Sequence, residues 1–364
     1  MILRTFGWSF VITGVTLVVS FFYGGWPAMG LCLILGLLEV SLSFDNAIVN
    51  AKILETMSLF WREIFLTVGI LIAVIGMRLL LPLLIVGTTA HLTPDQAIRL
   101  ALEKGDPQTP GTYGFVLHQA HPQIAAFGAM FLLMLFLDFL FTERDHYWLT
   151  RLERPLAKLG HLDQASVIIS AAALLAAAKT LADSPETVLV AGILGIITYL
   201  VVNGLGRILE PDGESGASPK ANVTGGRPRI AGRAAFFLFL YLEVLDGSFS
   251  FDGVIGAFAI TSDPIIIALG LGFIGATYVR SITVFLVRKG TLKDYIYLEH
   301  GAHWAIGALA VLLLVSIGFE VPQAVTGLLG LAFIGAALAS SARARQEHPQ
   351  NRDGPDREAV SAPG

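Results

Sequence analysis

The chain is short of charge. Asp, Glu, Lys and Arg make up 14% of its 364 residues, against about 25% in ordinary soluble domains, and a soluble core of this size would need more polar cover. Cysteine is almost missing as well. Cys32 stands alone, which excludes an intramolecular disulfide framework, and with only 6 methionines the chain offers little to a soft metal such as copper. There is no phosphate loop and no nucleophile motif, and the basic residues form no nucleic-acid patch.

What the chain has is apolar length. Mean hydropathy is +0.70, and the apolar residues fall in blocks of about 17 to 28, the length a helix needs to cross about 30 Å of hydrocarbon. This predicts an all-α polytopic transmembrane helical bundle of about nine or ten spans. We place them near 6–22, 29–51, 64–90, 123–141, 165–182, 187–206, 234–260, 265–286, 302–318 and 324–340. The first lies behind Arg4 like a signal peptide, but it runs into further spans and lacks a clean small-residue cleavage site before Trp26, so we read it as retained. Of the Lys and Arg outside the spans, only Arg99 and Lys104 fall on one side. The positive-inside rule then puts both termini in the cytoplasm.

The expected organisation is an N-terminal span (1–28), a first repeat half (29–141), connecting spans (142–206), a flexible cytoplasmic loop (207–233), a second half (234–340) and a disordered cytoplasmic tail (341–364). In the outer loop a short amphipathic helix is expected from Pro94 to Lys104, with Thr93 as N-cap and Gly105 as stop.

The repeat is read from the acids. Glu39-Val-Ser-Leu-Ser-Phe-Asp45-Asn-Ala-Ile in the second span matches Asp246-Gly-Ser-Phe-Ser-Phe-Asp252-Gly-Val-Ile in the seventh. Arg78 and Arg280 follow 33 and 28 residues after the motif aspartates, and His118-Gln-Ala-His121 and His300-Gly-Ala-His303 open the next spans. With the topology above, the two halves are inverted, the architecture in which two bundles exchange access around a midplane site.

Intramembrane acids are costly and need partners. Glu39, Asp45, Glu243, Asp246 and Asp252 outnumber Arg78, Arg280 and Lys179 by two, a deficit that a divalent cation or two protons would fill. On ideal helices Glu39, Ser43, Asn46 and Asn50 share one face, and Glu243, Asp246, Ser250 and Gly253 another. Such oxygen-rich faces suit magnesium, calcium or manganese. Asp45 and Asp252 sit about 120° off those faces, so either a local break at the Gly and Ser residues turns them inward or Arg78 and Arg280 hold them. The candidate ligands are Glu39, Asp45, Asn46, Glu243, Asp246 and Asp252, with Arg78 and Arg280 as charge balance or gate. The His pairs would lie on opposite sides, unable to share an ion. Asp138 reads as a solvated or capping residue.

On these two motifs and the arginine helices, from about residue 29 to 340, the chain resembles a divergent branch of the TerC family, related to the LysE superfamily of exporters. The resemblance implies manganese homeostasis, usually export, in a bacterial plasma membrane, with the cation as cargo and no prosthetic group. The commoner family pattern has fewer spans, no long outer loop and a polar residue in place of Gly253. Two other readings compete: a membrane scaffold of a stress-resistance complex, and an intramembrane hydrolase with Asp45 and Asp252 as a dyad. The partners expected are the ion and the lipid bilayer, without nucleic acid.

Overall fold

The computed structural model describes residues 2–69, 71–103, 105, 108–144, 146–161, 164–208, 230–261, 263–289 and 295–347. Most of the expected loop and tail therefore lies outside the described residues. Apart from a single bridge between Met57 and Ile230, the described residues form no β-structure. The chain is a polytopic helical bundle. Among the described residues six helices are long and apolar enough to cross a membrane: Thr5–Val40, Tyr113–Phe141, Pro185–Gly204, Pro264–Val287, Leu298–Val315 and Val325–Arg345.

Helix α1, Ile2–Leu42, has 41 residues, which at 1.5 Å each is about twice a membrane's thickness. It is two arms rather than one rod. Gly24 and Gly25 leave helical space, and Gly25 takes a φ of 69° that favours a residue without Cβ. The contacts show a reversal. Ser9 Oγ donates to the Thr277 carbonyl at 3.0 Å, and Tyr23 reaches Asp263 at 3.3 Å, so the first arm counts down one helix. The second arm counts up it, with Gly36 against Gly270 and Ile274 and Glu39 against Gly275. The expected first and second spans are these two arms. At Ser43 (φ −98°, ψ 11°) the helix is interrupted before α2, Phe44–Thr56, but the bonds Ser43 N–H to Glu39 O and Ala47 N–H to Ser43 O, 2.9 and 3.0 Å, keep its direction.

The third span is built from α3 (Leu59–Ile64), π-helical stretches Phe65–Gly69 and Ile72–Leu80, and α4 (Leu81–Thr89). After it come α5 (Pro94–Leu102), α6 (Tyr113–Phe141), α7 (Thr150–Ala157), α8 (Ala165–Thr180), α9 (Pro185–Ile208) and α10 (Gly232–Ile260). The eighth span joins α11 (Pro264–Ile267), a π-helical stretch Ala268–Gly275 and α12 (Ala276–Lys289); α13 (Leu298–Val315) and α14 (Gln323–Glu347) close the chain. Helix α5 starts behind the expected N-cap Thr93, which forms a capping box with Gln96, and ends at Leu102, short of the expected Lys104. Helix α14 continues past Ser341, where the tail was expected to begin.

Corresponding helices of the two halves run antiparallel. Along the second span, Glu39 meets Gly253 and Asn46 meets Asp246 of α10, so one number rises as the other falls. The arginine helices behave alike: Leu66 meets Arg280, and the stretch Ile72–Leu80 lies on Ala268–Gly275. His121 at the start of α6 meets Ser316 just beyond α13, while Phe139 near its end stacks on His303. Inversion of all three pairs is thus visible in the contacts. Helix α6, buried along most of its length, is the post against which α8, α9, α10 and α13 pack.

Candidate functional site

The expected oxygen-rich faces are real and turn toward each other. Glu39, Ser43, Asn46 and Asn50 are all buried, as are Glu243 and Ser250, while Asp246 is half-buried. Arg78 forms an ion pair with Glu39, both side chains 2% exposed, and Ser43 Oγ donates to Glu39 Oε1 at 2.9 Å. Such a pair holds only because each charge answers the other; alone, either would be very costly at this depth. Across the halves, Asn46 Nδ2 donates to Asp246 Oδ1 at 2.6 Å. Arg280 Nε donates to the Leu66 carbonyl at 2.6 Å. Leu66 lies in the stretch Phe65–Gly69, where π geometry shifts the backbone ladder and releases carbonyls for outside donors.

Two glycines missed by the sequence reading let the acids in. A Cβ on Gly275 would overlap the stem of Glu39, and one on Gly69 would lie 2.5 Å from Glu243 Oε1. Both belong to the arginine helices, and each takes an acid from the opposite half. Gly253, which replaces the more usual polar residue of the resembled family, is explained likewise: a Cβ there would sit 2.9 Å from Glu39 Oε2. The signal for these glycines was there, as Gly in an apolar helix marks close approach, but nothing in one sequence says what approaches.

Between the second, third, seventh and eighth spans lies a cavity of about 30 Å³, lined among others by Asn50, Gly69, Arg78, Asp246 and Arg280. That is room for about one water. Beside it, both carboxylate oxygens of Glu243 and the Asn50 Oδ1 have no hydrogen-bond partner among the described residues. A buried carboxylate without donors calls for a proton or a cation. The side chains of Asp45 and Asp252 lie outside the described residues. Helix α10 carries the second motif through to Ile260 with no non-helical residue recorded, so the local break imagined there is absent from its backbone. Among the described residues no group of three or more His, Cys, Asp or Glu is placed to hold a metal ion.

A match to a family model spans residues 44–348, under the description "Protein of unknown function (DUF475)". The chain belongs to this membrane protein family. The match includes Asn46, both arginines and the whole second motif, and leaves out the α1 hairpin with Glu39. No curated protein and no solved structure matches the chain.

At the basic end of the bundle the DUF475 chain carries a second polar cluster. Lys52 Nζ is 2.9 Å from Glu299 Oε2, and Arg144 lies 3.4 Å from Glu299 Oε1. Glu153 of α7 is buried and receives Trp304 Nε1 at 2.8 Å and the Trp148 N–H at 2.9 Å, with His300 Nδ1 at 2.9 Å. Burial pushes its carboxyl up, but the contact with His300 and the bonds from Trp304 and Trp148 outweigh it and hold it below the usual carboxylate range. His300 is thereby a fastening for α7. The His pairs stand at opposite ends of the antiparallel α6 and α13, as expected. Asp138 is neither solvated nor a cap: it accepts from Ser166 Oγ and, at 2.7 Å, from Tyr199 OH, joining α6 to α8 and α9. The reading missed it because partners on distant helices leave no local pattern.

Proposed function

We propose that the protein is a carrier of divalent metal cations, with manganese, which the TerC resemblance implies, as first candidate, exported across a bacterial plasma membrane with both termini in the cytoplasm. The observation that carries this reading is Glu243: a buried carboxylate with no donor among the described residues, beside a cavity between inverted halves. The Asn50 Oδ1, also without a partner among the described residues, and Asp246 supply further oxygens on the same cavity. Glu39, Asp45, Asn46, Glu243, Asp246 and Asp252 are the ligands proposed, and all-oxygen donors select hard cations. Arg78 and Arg280 balance charge when no ion is bound, Arg78 by pairing with Glu39.

The test is manganese flux in vesicles holding the purified protein, with magnesium, calcium and zinc as competitors, compared with Asp45→Asn and Asp252→Asn. Flux lost in both folded variants is the expected result. Well-inserted wild-type protein that moves no ion would overturn the carrier and favour a membrane scaffold.

A further inference from the structure

On an ideal helix Arg151, Arg154 and Lys158, at the spacing of α7, fall within an arc of about 60°, and all three are exposed. None of them has an acid within ion-pair distance among the described residues. The only acid between Tyr147 and His161 is Glu153, which shares a second face with Ala157, each 2% exposed. The outward charge is therefore of one sign. A third face, nearly opposite the basic one, holds Leu152, 52% exposed, and Leu156, half-buried. The inward face fixes the depth. Glu153 receives the Trp304 Nε1 bond, Phe136 near the end of α6 packs on Trp304 with ring centroids 5.3 Å apart, and Gly160 lies so close to the Phe141 carbonyl that a Cβ would overlap it. Phe141 ends α6 and Trp304 lies in the first two turns of α13, so α7 is held where the spans end, at headgroup depth. Tyr147 and Trp148, half-buried just ahead of it, are of the residue types that gather at that level.

We propose that Arg151, Arg154 and Lys158 dock the phosphate headgroups of anionic lipids in the leaflet at the basic end, with Leu152 and Leu156 among the acyl chains. Charge and place together choose the occupant. Three cations with no outward acid call for an anion, and the exposed leucine beside them calls for hydrocarbon, a combination that a lipid offers and a soluble polyanion does not. A helix with basic and apolar faces lies in the interface plane with its apolar side in the membrane. The contact also reaches inward, because Glu153 joins α7 to His300 and Trp304 of α13, so lipid held on α7 bears on the second half of the bundle. The inference stands apart from the carrier reading and needs no ion.

The test puts a bimane label on Leu152→Cys in the full chain, with the buried Cys32 removed as Cys32→Ala, in vesicles of phosphatidylcholine with increasing phosphatidylglycerol. Bromine on the upper acyl chains of either lipid should quench the label, and brominated phosphatidylglycerol should quench more than brominated phosphatidylcholine at the same mole fraction. The fraction that gives half of this excess should rise about 5-fold for each basic residue lost. Arg154→Gln should therefore shift it, Arg151→Gln/Arg154→Gln should shift it further, and salt should weaken it. These positions are exposed, where such changes scarcely move stability. Arg343→Gln/Arg345→Gln removes two charges from exposed positions of α14 at the same end, where Ser341 accepts the Tyr297 N–H, and should change nothing. A label that neither lipid quenches puts this side of α7 in water, overturns the docking and leaves the basic face to a soluble polyanion. Equal quenching by both lipids, or an equal shift from Arg343→Gln/Arg345→Gln, overturns it as well, since the three cations would then add only to the general field of the basic end.

Discussion

The centre of the bundle and its basic end hold similar residues and treat them oppositely. At the basic end Glu153 is met by two hydrogen-bond donors and by the His300 ring at 2.9 Å, and Glu299 by two cations. At the centre Glu39 is paired, but Glu243 has no hydrogen-bond partner among the described residues. Packing alone gives no reason to keep a bare carboxylate in a membrane, since an apolar residue of similar shape would be no worse and often better. The contrast separates acids that hold the fold from acids that wait for a ligand, and substitutions should divide along it.

The largest effect is expected where a holding pair is broken inside the membrane. Arg78→Met leaves Glu39 buried opposite an apolar group, and losing one partner of such a pair costs about 3–5 kcal/mol. Thermal unfolding in detergent should show it. The double variant Glu39→Gln/Arg78→Met should recover most of the loss, and its failure to do so would mean that Arg78 has a more important partner than Glu39.

A smaller loss belongs to the basic end. Glu153→Gln keeps the shape but weakens the bonds from Trp304 and Trp148 and the contact with His300, and should cost about 1–3 kcal/mol near neutral pH. The sign with pH follows from the lowered carboxyl value. A carboxylate depressed by folding contributes stability above its unfolded value, near 4.5, and loses it as pH falls through the folded one. The gap between wild type and Glu153→Gln should therefore close on acidification below that range. A gap unchanged down to strongly acid pH would show that the carboxylate charge contributes nothing.

How legible all this was in the sequence depends on range. Apolar block lengths gave the spans, the matched acid motifs gave the repeat, and counting spans between the motifs gave the inversion. The faces carrying Glu39, Asn46 and Asn50 followed from helical periodicity alone. What stayed hidden was set by contacts between distant helices: Gly69 and Gly275 against acids of the opposite half, Asp138 against Ser166 and Tyr199, Glu153 against His300. The π-helical stretches of both arginine helices were hidden for a different reason. They are compromises imposed by neighbours, and the intrinsic preferences of residues such as Leu66 or Leu271 do not encode them.

The smallest expected change in stability is the most informative one. Glu243→Gln removes a charge that no described group answers, so no protein bond is lost with it. If Glu243 were a structural acid, the variant would be destabilised like Glu153→Gln. If it waits for an ion, the ion-free variant should unfold within about 1 kcal/mol of wild type or later, because a buried lone charge is itself destabilising. The same variant should forfeit the extra stability that manganese gives the wild type, since a ligand stabilises only a state that binds it. Unfolding with and without manganese thus separates the two kinds of acid within one protein: Glu153→Gln loses stability and keeps the ion's increment, Glu243→Gln keeps stability and loses the increment. The reverse pattern would place the ion at the basic end and leave the centre as scaffold.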